Sequence, residues 1–521
     1  MPTFLNTLST QSRLPTFESY SVKISRYALP IIVGIHLLIT ILLSIILNIW
    51  IDEAHSLHTA GQDIEYAIKR ALYFELQPPL YFIILDLWRS INPSIFFARL
   101  LSICFMALML VAVWRLSVRL YKETHPAWLV AATALNPFVV WYATEIRCYA
   151  LVILLSALLL LFFLDGYLSE GFPGKSRWYY IFLAIGALYT HYYLGFILAA
   201  NGLTLLILGR LRTLRAYLLG MFIVLLCFAP MLMVLRDQTS IHLNFSYPVS
   251  LYGSVKVIHW RIKEYLLPSG NIWGLVTLSK WIFNLGTVVG LFYVVKKRTC
   301  FFKPYNVALI TMVVTICIFF FALLNLYGRD SMMPRHLATL FLPSILLTFS
   351  VIPLVNGRKV LISCCLVLFL FYGSALVGMY KRCAKDGDWQ RVATYIMKVE
   401  KAGEPILIIR NEQVLPFTYY YNGPNKVIPL PNKLNVETYD LSSQVLRDEQ
   451  TIFQSLPNVP GDDKKLWVIT NATVPYLGVD IHPEVLEGFI NKWCVVEKEQ
   501  SFYGSLVRYV ALKENWKTRV E

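Results

Sequence analysis

The sequence predicts an α-helical polytopic membrane protein that carries a small soluble α/β domain at its C-terminal end. Of the 521 residues, 57% are hydrophobic and only 15% are charged. The mean hydropathy of +0.56 is well above that of a water-soluble globular domain. Apolar runs of span length recur up to Tyr380, and the character of the sequence changes beyond Lys381. The lipid bilayer is therefore the expected solvent of most of the chain.

Charge and cysteine usage exclude several other classes of protein. The formal net charge of +15 comes largely from short loops between apolar runs, and no basic stripe with interleaved aromatic residues indicates a nucleic-acid partner. The nine cysteines form no CxxC pair, so neither a zinc site nor a disulfide framework is indicated, although Cys383 and Cys494 could pair. The positive charge is therefore interpreted as a signal of which loops lie on the cytoplasmic side of the membrane.

About eleven transmembrane helices are predicted after a cytoplasmic N-terminal tail, residues 1–28. An apolar run of about 20 residues is long enough to cross about 30 Å of hydrocarbon. The run 178–208 is too long for one helix and is interrupted at 190–193, so it is predicted to form a hairpin of two short helices. The other predicted spans are 29–50, 96–118, 126–142, 146–164, 216–235, 275–295, 305–324, 337–355 and 360–380.

The long loop after the first span, residues 51–95, is predicted to stay on one side of the membrane. Between 62 and 76, apolar side chains recur at helical spacing opposite charged ones, which is typical of a helix lying in the membrane interface. The segment 80–91 follows two prolines, is too short to span, and carries Asp86 and Arg89. It is therefore predicted as a second surface or re-entrant segment.

The distribution of basic residues supports this topology. Lys and Arg favour cytoplasmic loops, and they are concentrated in the short loops that the arrangement places inside, which are 115–122, 171–177, 209–215, 296–303 and 356–359. If 80–91 crossed the membrane, every later loop would be inverted and the contrast would reverse. The N-terminus is therefore predicted inside and the C-terminal end outside.

Residues 381–521 are predicted to form a soluble α/β domain outside the membrane, following a transmembrane domain of residues 29–380. Pro, Asn, Asp and Lys become frequent there, and apolar runs shorten to strand length, as at 406–409 and 466–469. The segment 493–513 alternates around Gly504, which predicts a terminal β-hairpin.

Ionisable residues cluster on the predicted outer side. Charged groups at membrane depth are costly and commonly mark functional sites, although interfacial side chains wetted by lipid headgroups would explain any single one of them. The set is therefore interpreted as a functional site. Its members include Asp52, Glu53, Glu145, Arg147, His191, Arg335 and His336.

An acid pair together with arginines suits the transfer of a group from a phosphate-linked donor to a hydroxyl. A carboxylate of Asp52 or Glu53 could take the acceptor proton, and Arg147 and Arg335 could hold the departing phosphate. Adjacent carboxylates such as Asp52 and Glu53 can bind a divalent ion, but two carboxylates do not complete its coordination shell, so a site without metal is favoured. Aromatic residues that could stack on a sugar, or could equally form an interfacial belt, are Trp141, Tyr142, Tyr149 and Tyr192.

Six elements in order resemble bacterial membrane glycosyltransferases of the GT-C superfamily, the group related to protein O-mannosyltransferases and aminoarabinose transferases. The resemblance spans about residues 29 to 355. Asp388-Trp389-Gln390, together with 416–421, also resembles the outer domain of some members. The six elements are Asp52-Glu53-Ala54, Gln77-Pro78-Pro79-Leu80-Tyr81, the run 97–102, Asn136-Pro137-Phe138 with 145–151, Tyr189-Thr190-His191-Tyr192, and Pro334-Arg335-His336-Leu337.

The resemblance implies an inverting enzyme of the bacterial inner membrane, mannosyltransferase-like in type, with its active site on the periplasmic face. It would move a sugar from a polyprenyl-phosphate donor to a lipid, glycan or protein hydroxyl, with Asp52 as general base beside Glu53 and with no cofactor. Gln77 stands where the group usually has histidine, so hydrogen bonding is expected there in place of acid–base chemistry. The expected substrate-binding residues are Gln77, Glu145, Arg147, Tyr149, His191, Tyr192, Arg335 and His336.

Two other functions fit part of this pattern. A transporter or flippase of a lipid-linked saccharide would also have many spans and charged residues inside, but it should show internal repeats and acids facing both sides. A receptor or scaffold anchored by its helices would not need eleven spans with a rim of paired charges. The sequence shows no internal repeat, which favours the enzyme.

Overall fold

The computed structural model describes residues 17–121, 124–169, 174–243, 250–270, 273–327, 334–351, 354, 358–437, 441–456, 465–471 and 482–513. Most of the predicted N-terminal tail therefore lies outside the described residues. A helical part is followed by a part that contains a β-sheet. The helices of the first part are α1 (Phe17–Ile46), α2 (Ile51–Thr59), α3 (Ile64–Tyr73), α4 (Leu80–Arg89), α5 (Ile95–Leu120), α6 (Pro126–Ala134), α7 (Pro137–Ala143), α8 (Tyr149–Phe163), α9 (Gly174–Leu188), α10 (Leu194–Ile207), α11 (Leu211–Leu243), α12 (Leu251–Leu266), α13 (Trp273–Lys296), α14 (Arg298–Phe301), α15 (Pro304–Tyr327), α16 (Ala338–Val351) and α17 (Arg358–Tyr380).

Seven helices within the described ranges are long and apolar enough to cross a membrane. They correspond to seven of the predicted spans, and the chain is accordingly an integral membrane protein. A short π-helix, Leu164–Leu168, extends α8. The seven segments are Tyr27–Ile46, Ile95–Leu120, Tyr149–Leu168, Leu211–Gln238, Gly274–Lys296, Pro304–Leu326 and Val360–Tyr380.

The other predicted spans are shorter helices. The run 126–142 divides into α6 and α7, because Pro137 has no amide hydrogen for a continuous helix and the Asn136 side chain caps α7 by accepting from the Phe138 N–H at 2.9 Å. The predicted hairpin in 178–208 is confirmed as α9 and α10, separated at 189–193. The run 337–355 contains α16, which has 14 residues. The total of about eleven crossings stays a prediction.

The first predicted span ends earlier than expected. Helix α1 ends at Ile46, whereas the apolar run continues to Trp50. The reason is Arg99 on α5, whose guanidinium donates to the carbonyls of Ser44 at 3.0 Å, Leu47 at 2.7 Å and Asn48 at 2.8 Å. A residue from another helix thus satisfies the free carbonyls at the helix end, and the chain turns directly into α2.

The segment 51–95 contains no helix of span length, as predicted. It folds into α2, α3 and α4, of which the longest has 10 residues. Asp63 caps α3 by accepting from the Tyr66 N–H at 2.8 Å. Helix α8 lies at the centre of the helical part, packed against α5, α9 and α16, which agrees with its unbroken apolar sequence.

The C-terminal part is a small α/β domain whose described residues form a five-stranded sheet. The strands are β1 (Ile406–Ile409), β2 (Val427–Leu430), β3 (Lys465–Asn471), β4 (Cys494–Phe502) and β5 (Ser505–Leu512), and they lie in the order β2-β1-β3-β5-β4. Strands β2, β1 and β3 are parallel, and β4 and β5 form the predicted terminal hairpin, with Gly504 at a φ of +82° in the turn. Cys383 and Cys494 are both free thiols, so the possible bridge between them is not formed. The helices of this domain are α18 (Trp389–Val399), α19 (Val414–Thr418), α20 (Glu449–Ser455) and α21 (Pro483–Trp493).

Candidate active site

Asp52 and Arg335, two of the predicted site residues, meet at one end of the helical part. Asp52 lies in the first turn of α2, and Arg335 lies in the short 3-10 segment Pro334–Leu337 before α16. The Asp52 Oδ2 atom forms an ion pair with the Arg335 Nη1 atom, and the guanidinium lies 5.6 Å from the centroid of the Trp50 ring. The two side chains are 12% and 17% exposed, so this pair retains some access to solvent.

Glu53 is adjacent in sequence but has different partners. Its Oε1 and Oε2 atoms accept from Arg99 Nε and Nη2, each at 3.0 Å, and Oε2 lies 2.9 Å from the Nζ atom of Lys385. All three side chains are fully buried. Burial opposes ionisation of Glu53, but the charges of the two cations outweigh it and hold the pKa below its usual value. Consecutive residues of a helix point in different directions, so the two carboxylates do not share a site.

Arg147 is held by groups that the sequence did not predict. Its Nη1 atom lies 2.7 Å from Glu75 Oε2 and 3.1 Å from Ser56 Oγ. Glu75 is buried and also lies 3.4 Å from Arg70 Nη1. Glu75 stands beside the Gln-Pro-Pro element at 77–79, which was the available signal, but neither periodicity nor spacing assigns it a partner 72 positions away.

Glu145 is a buried carboxylate in the loop between α7 and α8. It is 1% exposed, and neither of its carboxylate oxygens accepts a hydrogen bond from a residue that the structure describes. Burial raises the pKa of Glu145 to about 7, with Lys385 and Arg335 acting against the increase and the carboxylates of Glu53 and Asp52 adding to it. This group therefore titrates near neutral pH.

The predicted aromatic and histidine contacts divide into two groups. Tyr149 and His191 lie together beside Arg147, with the two ring centroids 6.0 Å apart, and both are buried. Burial and the charge of Arg147 lower the pKa of His191 to about 4, so it is neutral at pH 7. His336 lies further along, with its ring 6.3 Å from that of Tyr193. Tyr192 donates to Gln238 Oε1 at 2.7 Å, on α11.

An interfacial belt does not account for Tyr142 and Tyr149. Both rings are buried inside the protein and pack edge to face, with centroids 5.2 Å apart. Gln77 accepts a weak contact from the Cys148 Sγ atom at 3.5 Å, in keeping with a hydrogen-bonding role. Gln77, Tyr149 and His191, which belong to three of the six sequence elements, thus lie close to Arg147 and Cys148 in the fold.

The C-terminal domain touches the same end of the helical part. The Ile49 N–H donates to the Tyr420 hydroxyl at 2.8 Å, and the Arg70 Nε atom donates to the Val436 carbonyl at 2.7 Å. Glu412 lies 3.8 Å from His55 on α2. The sequence suggested no role for these contacts, because they join residues more than 300 positions apart.

Comparison with known proteins agrees with this architecture. Residues 76–234 match the family model described as dolichyl-phosphate-mannose-protein mannosyltransferase. The fold is similar to the crystal structure of ArnT from Cupriavidus metallidurans bound to undecaprenyl phosphate, with 13% identity, a TM-score of 0.56, and coverage of 92% of this chain and 97% of that one. The apo structure of the same ArnT gives 14% identity with the same TM-score and coverage.

A search of curated protein sequences finds no match to the chain. The similarity to known proteins therefore consists of the matched segment 76–234, which contains neither the motif at 52–54 nor the one at 334–337, and of the fold shared with ArnT. Together these findings show that the chain has a fold similar to that of ArnT and contains a segment similar to the dolichyl-phosphate-mannose-protein mannosyltransferase family.

Proposed function

We propose that the chain is an inverting glycosyltransferase that moves a sugar from a polyprenyl-phosphate donor to an acceptor hydroxyl on the outer face of the bacterial inner membrane. The observation that carries the proposal is the Asp52–Arg335 ion pair, a carboxylate and a cation held together where one end of the helical part retains solvent access. The match to a mannosyltransferase family model and the undecaprenyl phosphate in the similar ArnT structure support the donor class.

The proposed chemistry assigns one role to each partner of this pair. The acceptor oxygen attacks the anomeric carbon, the bond from that carbon to the phosphate oxygen breaks, and its electrons leave with the phosphate. Arg335 stabilises the charge on the departing phosphate, and Asp52 takes the proton of the acceptor hydroxyl. Attack from the side opposite the phosphate inverts the configuration at the anomeric carbon.

The ion pair also provides a way to activate the base. Without donor, Arg335 and Asp52 neutralise each other. A donor phosphate competes for the same guanidinium, because a phosphate oxygen is as good an acceptor as a carboxylate. When Arg335 turns to the phosphate, Asp52 loses its partner and can accept a proton. The general base would thus become available only when a donor is bound.

The remaining predicted site residues are proposed to support this pair. Arg147 is already engaged by Glu75 and Ser56, so we assign it to holding α2 against the loop before α8 in preference to binding phosphate. Glu53, with its two buried cations, fixes the first turn of α2. Substrate contacts are proposed for the neighbouring polar and aromatic groups, which are Gln77, Glu145, Tyr149, His191, Tyr192 and His336.

The test uses the purified full chain in lipid vesicles with a polyprenyl phosphate that carries a radiolabelled sugar. We expect free polyprenyl phosphate to appear together with a labelled acceptor from a membrane extract, and we expect inversion of the anomeric configuration. A flippase would move the label across the vesicle membrane without releasing polyprenyl phosphate. Release that is unchanged in vesicles without protein would reject the enzyme.

A further inference from the structure

The C-terminal domain places a fully buried lysine among the residues of the candidate active site. Lys385 lies between α17 and α18, beyond the last predicted span, and its side chain is 0% exposed. Burial of an ammonium group is costly unless strong partners compensate for the lost hydration. Its contacts therefore indicate which groups this lysine holds.

Lys385 connects three segments of the helical part. Its Nζ atom lies 2.9 Å from Glu53 Oε2 on α2 and donates to the Thr144 carbonyl at 2.9 Å, in the loop before α8. Its backbone N–H donates to Asn48 Oδ1 at 2.8 Å, just beyond the end of α1. The same residue thus contacts the chain on both sides of Trp50 and the residue that precedes Glu145.

The charge of Lys385 is not needed to neutralise Glu53. Arg99 already pairs with both oxygens of Glu53, which is the strong bidentate arrangement. Lys385 is the second cation beside Glu53, so the buried cluster of Glu53, Arg99 and Lys385 carries a net positive charge. Glu145 is a nearby carboxyl group, and its oxygens receive no hydrogen bond from the described residues. The charged and titratable groups that act on Glu145 are Asp52, Glu53, Arg99, Tyr142, Arg335, Tyr380 and Lys385.

We propose that Lys385 is a positioning residue of the candidate active site, which ties the first turn of α2 to the loop of Glu145 and favours the ionised form of the Glu145 carboxyl group. Its effect on turnover rests on the proposed function, whereas its effect on Glu145 does not. The sign follows from charge. A nearby cation lowers a carboxyl pKa, so removal of Lys385 should raise the pKa of Glu145 further.

The experiment compares four full-length variants in lipid nanodiscs. Lys385→Met removes the charge and keeps most of the length of the side chain, Lys385→Arg keeps the charge, and Glu145→Gln identifies the infrared band of the Glu145 carboxyl group. Lys381→Met is the matched control, because Lys381 is an exposed lysine in the same segment. The protonated carboxyl stretch is followed in infrared difference spectra as a function of pH.

We expect Glu145 to titrate higher in Lys385→Met by about one pH unit or more, since an opposite charge nearby shifts a carboxyl pKa by roughly 1–3 units. Lys385→Arg and Lys381→Met should stay close to the wild type. If Lys385→Met does not fold, Lys385→Gln replaces it, because Gln keeps a donor for the Thr144 carbonyl and still removes the charge. An unchanged Glu145 titration in the uncharged variant would overturn the inference.

The pH profile of polyprenyl phosphate release separates this inference from the proposed function. In Lys385→Met the acidic limb should move to higher pH by the same amount as the infrared titration, and the double variant with Glu145→Gln should show no such movement. If the wild type releases no polyprenyl phosphate but the Glu145 infrared titration still shifts in Lys385→Met, the proposed function is rejected and the effect of Lys385 on Glu145 is upheld. Release with a fixed acidic limb in Lys385→Met would contradict the inference.

Discussion

Two neighbouring carboxylates on one helix have different surroundings and should respond differently to substitution. Asp52 keeps partial exposure and one cationic partner, whereas Glu53 is fully buried between Arg99 and Lys385. A residue that accepts a proton from the substrate must be accessible to the substrate, whereas a residue that holds a helix in place is commonly buried. Substitution at Asp52 should therefore affect turnover, and substitution at Glu53 should affect stability.

Asp52→Asn should lower turnover by about 10² to 10⁴, the usual contribution of a general base. Asparagine is nearly isosteric but cannot accept the proton. Release of polyprenyl phosphate under donor saturation is the measurement, and Glu65→Gln, at an exposed carboxylate on α3, is the control that should retain activity. Turnover of Asp52→Asn within threefold of the wild type, with the fold intact, would transfer the role to another group, and Glu145 would be the next candidate.

Arg335 variants should change donor-lipid affinity in a way that depends on Asp52. Arg335→Ala should weaken binding of undecaprenyl phosphate by roughly tenfold to a hundredfold, the range of a charge-assisted hydrogen bond, and Arg335→Lys should restore it only in part, because lysine lacks the bidentate fork. Asp52→Asn should strengthen binding, since it removes the competitor for Arg335. Calorimetric titration of the chain in nanodiscs measures all three.

Arg382→Ala provides the matched control for that series, because Arg382 is an exposed arginine just beyond α17. Its affinity for undecaprenyl phosphate should equal that of the wild type. Equal affinity in Arg335→Ala would assign Arg335 to lipid headgroups. Weaker binding in Asp52→Asn would show that the carboxylate helps to hold the lipid and does not compete with it.

Glu53→Gln should destabilise the protein by about 3–5 kcal/mol, the usual cost of removing one partner from a buried ion pair. The change leaves Arg99 and Lys385 buried without the carboxylate that pairs with both of them. Thermal unfolding in detergent is the measurement, and adding Lys385→Met to Glu53→Gln should recover part of the loss because it removes one of the two unpaired cations. A Glu53→Gln chain as stable as the wild type would argue that water reaches this cluster.

At the scale of the elements, the break between α6 and α7 allows the Asn136 side chain to contact two other helices. Asn136 ends the connection between α6 and α7, and its side-chain amide donates to the Tyr265 carbonyl and to the Tyr372 hydroxyl, each at 2.8 Å. The cap of one short helix is thereby also a contact between α12 and α17. The loss of this side chain affects three elements at once.

Asn136→Ala should lower the free energy of unfolding by about 2 kcal/mol or more, because it removes a helix cap worth about 1 kcal/mol and leaves two buried groups unsatisfied. Ser94→Ala is the matched control. Ser94 caps α5 by accepting from Phe97 at 3.3 Å on an exposed turn, so its loss should cost less. Both are measured by chemical unfolding, and equal losses would show that the contacts of Asn136 to Tyr265 and Tyr372 contribute little.

The sequence predicted those elements whose signal is local. The interruption at 190–193 predicted the break between α9 and α10, and the alternation around Gly504 predicted the terminal β-hairpin. Charged residues at the ends of apolar runs suggested that Asp52 and Arg335 belong to one site, and the structure has the two side chains in contact. The end of α1 was missed by four residues because Arg99, from α5, determines it. Partners such as Glu75 and Lys385 were missed because no period or spacing connects them to Arg147 or Glu53.

At the scale of the whole molecule, orientation in the membrane decides whether the proposed reaction takes place on the outer face. Single cysteines are introduced at Gln62, Arg212, Lys296 and Lys398, all of which are exposed, in a background without exposed native cysteines. An impermeant maleimide added to intact cells should label positions 62 and 398 and should reach 212 and 296 only after the membrane is opened. Labelling of 212 in intact cells would contradict the predicted hairpin topology.

The contacts of Lys385 also determine when, during synthesis, the surroundings of Glu53 and Thr144 become complete. Chains are synthesised from the N-terminus, and their domains generally fold in that order, so Glu53 and Arg99 are made well before Lys385. During synthesis the Glu53 carboxylate has one of its two cations, and the Thr144 carbonyl lacks its donor. A product that stops after α17 would contain Asp52 and Arg335 without the tether between α2 and the loop of Glu145. The contacts around Glu53 and Thr144 are therefore complete only when the C-terminal domain that carries Lys385 has been made.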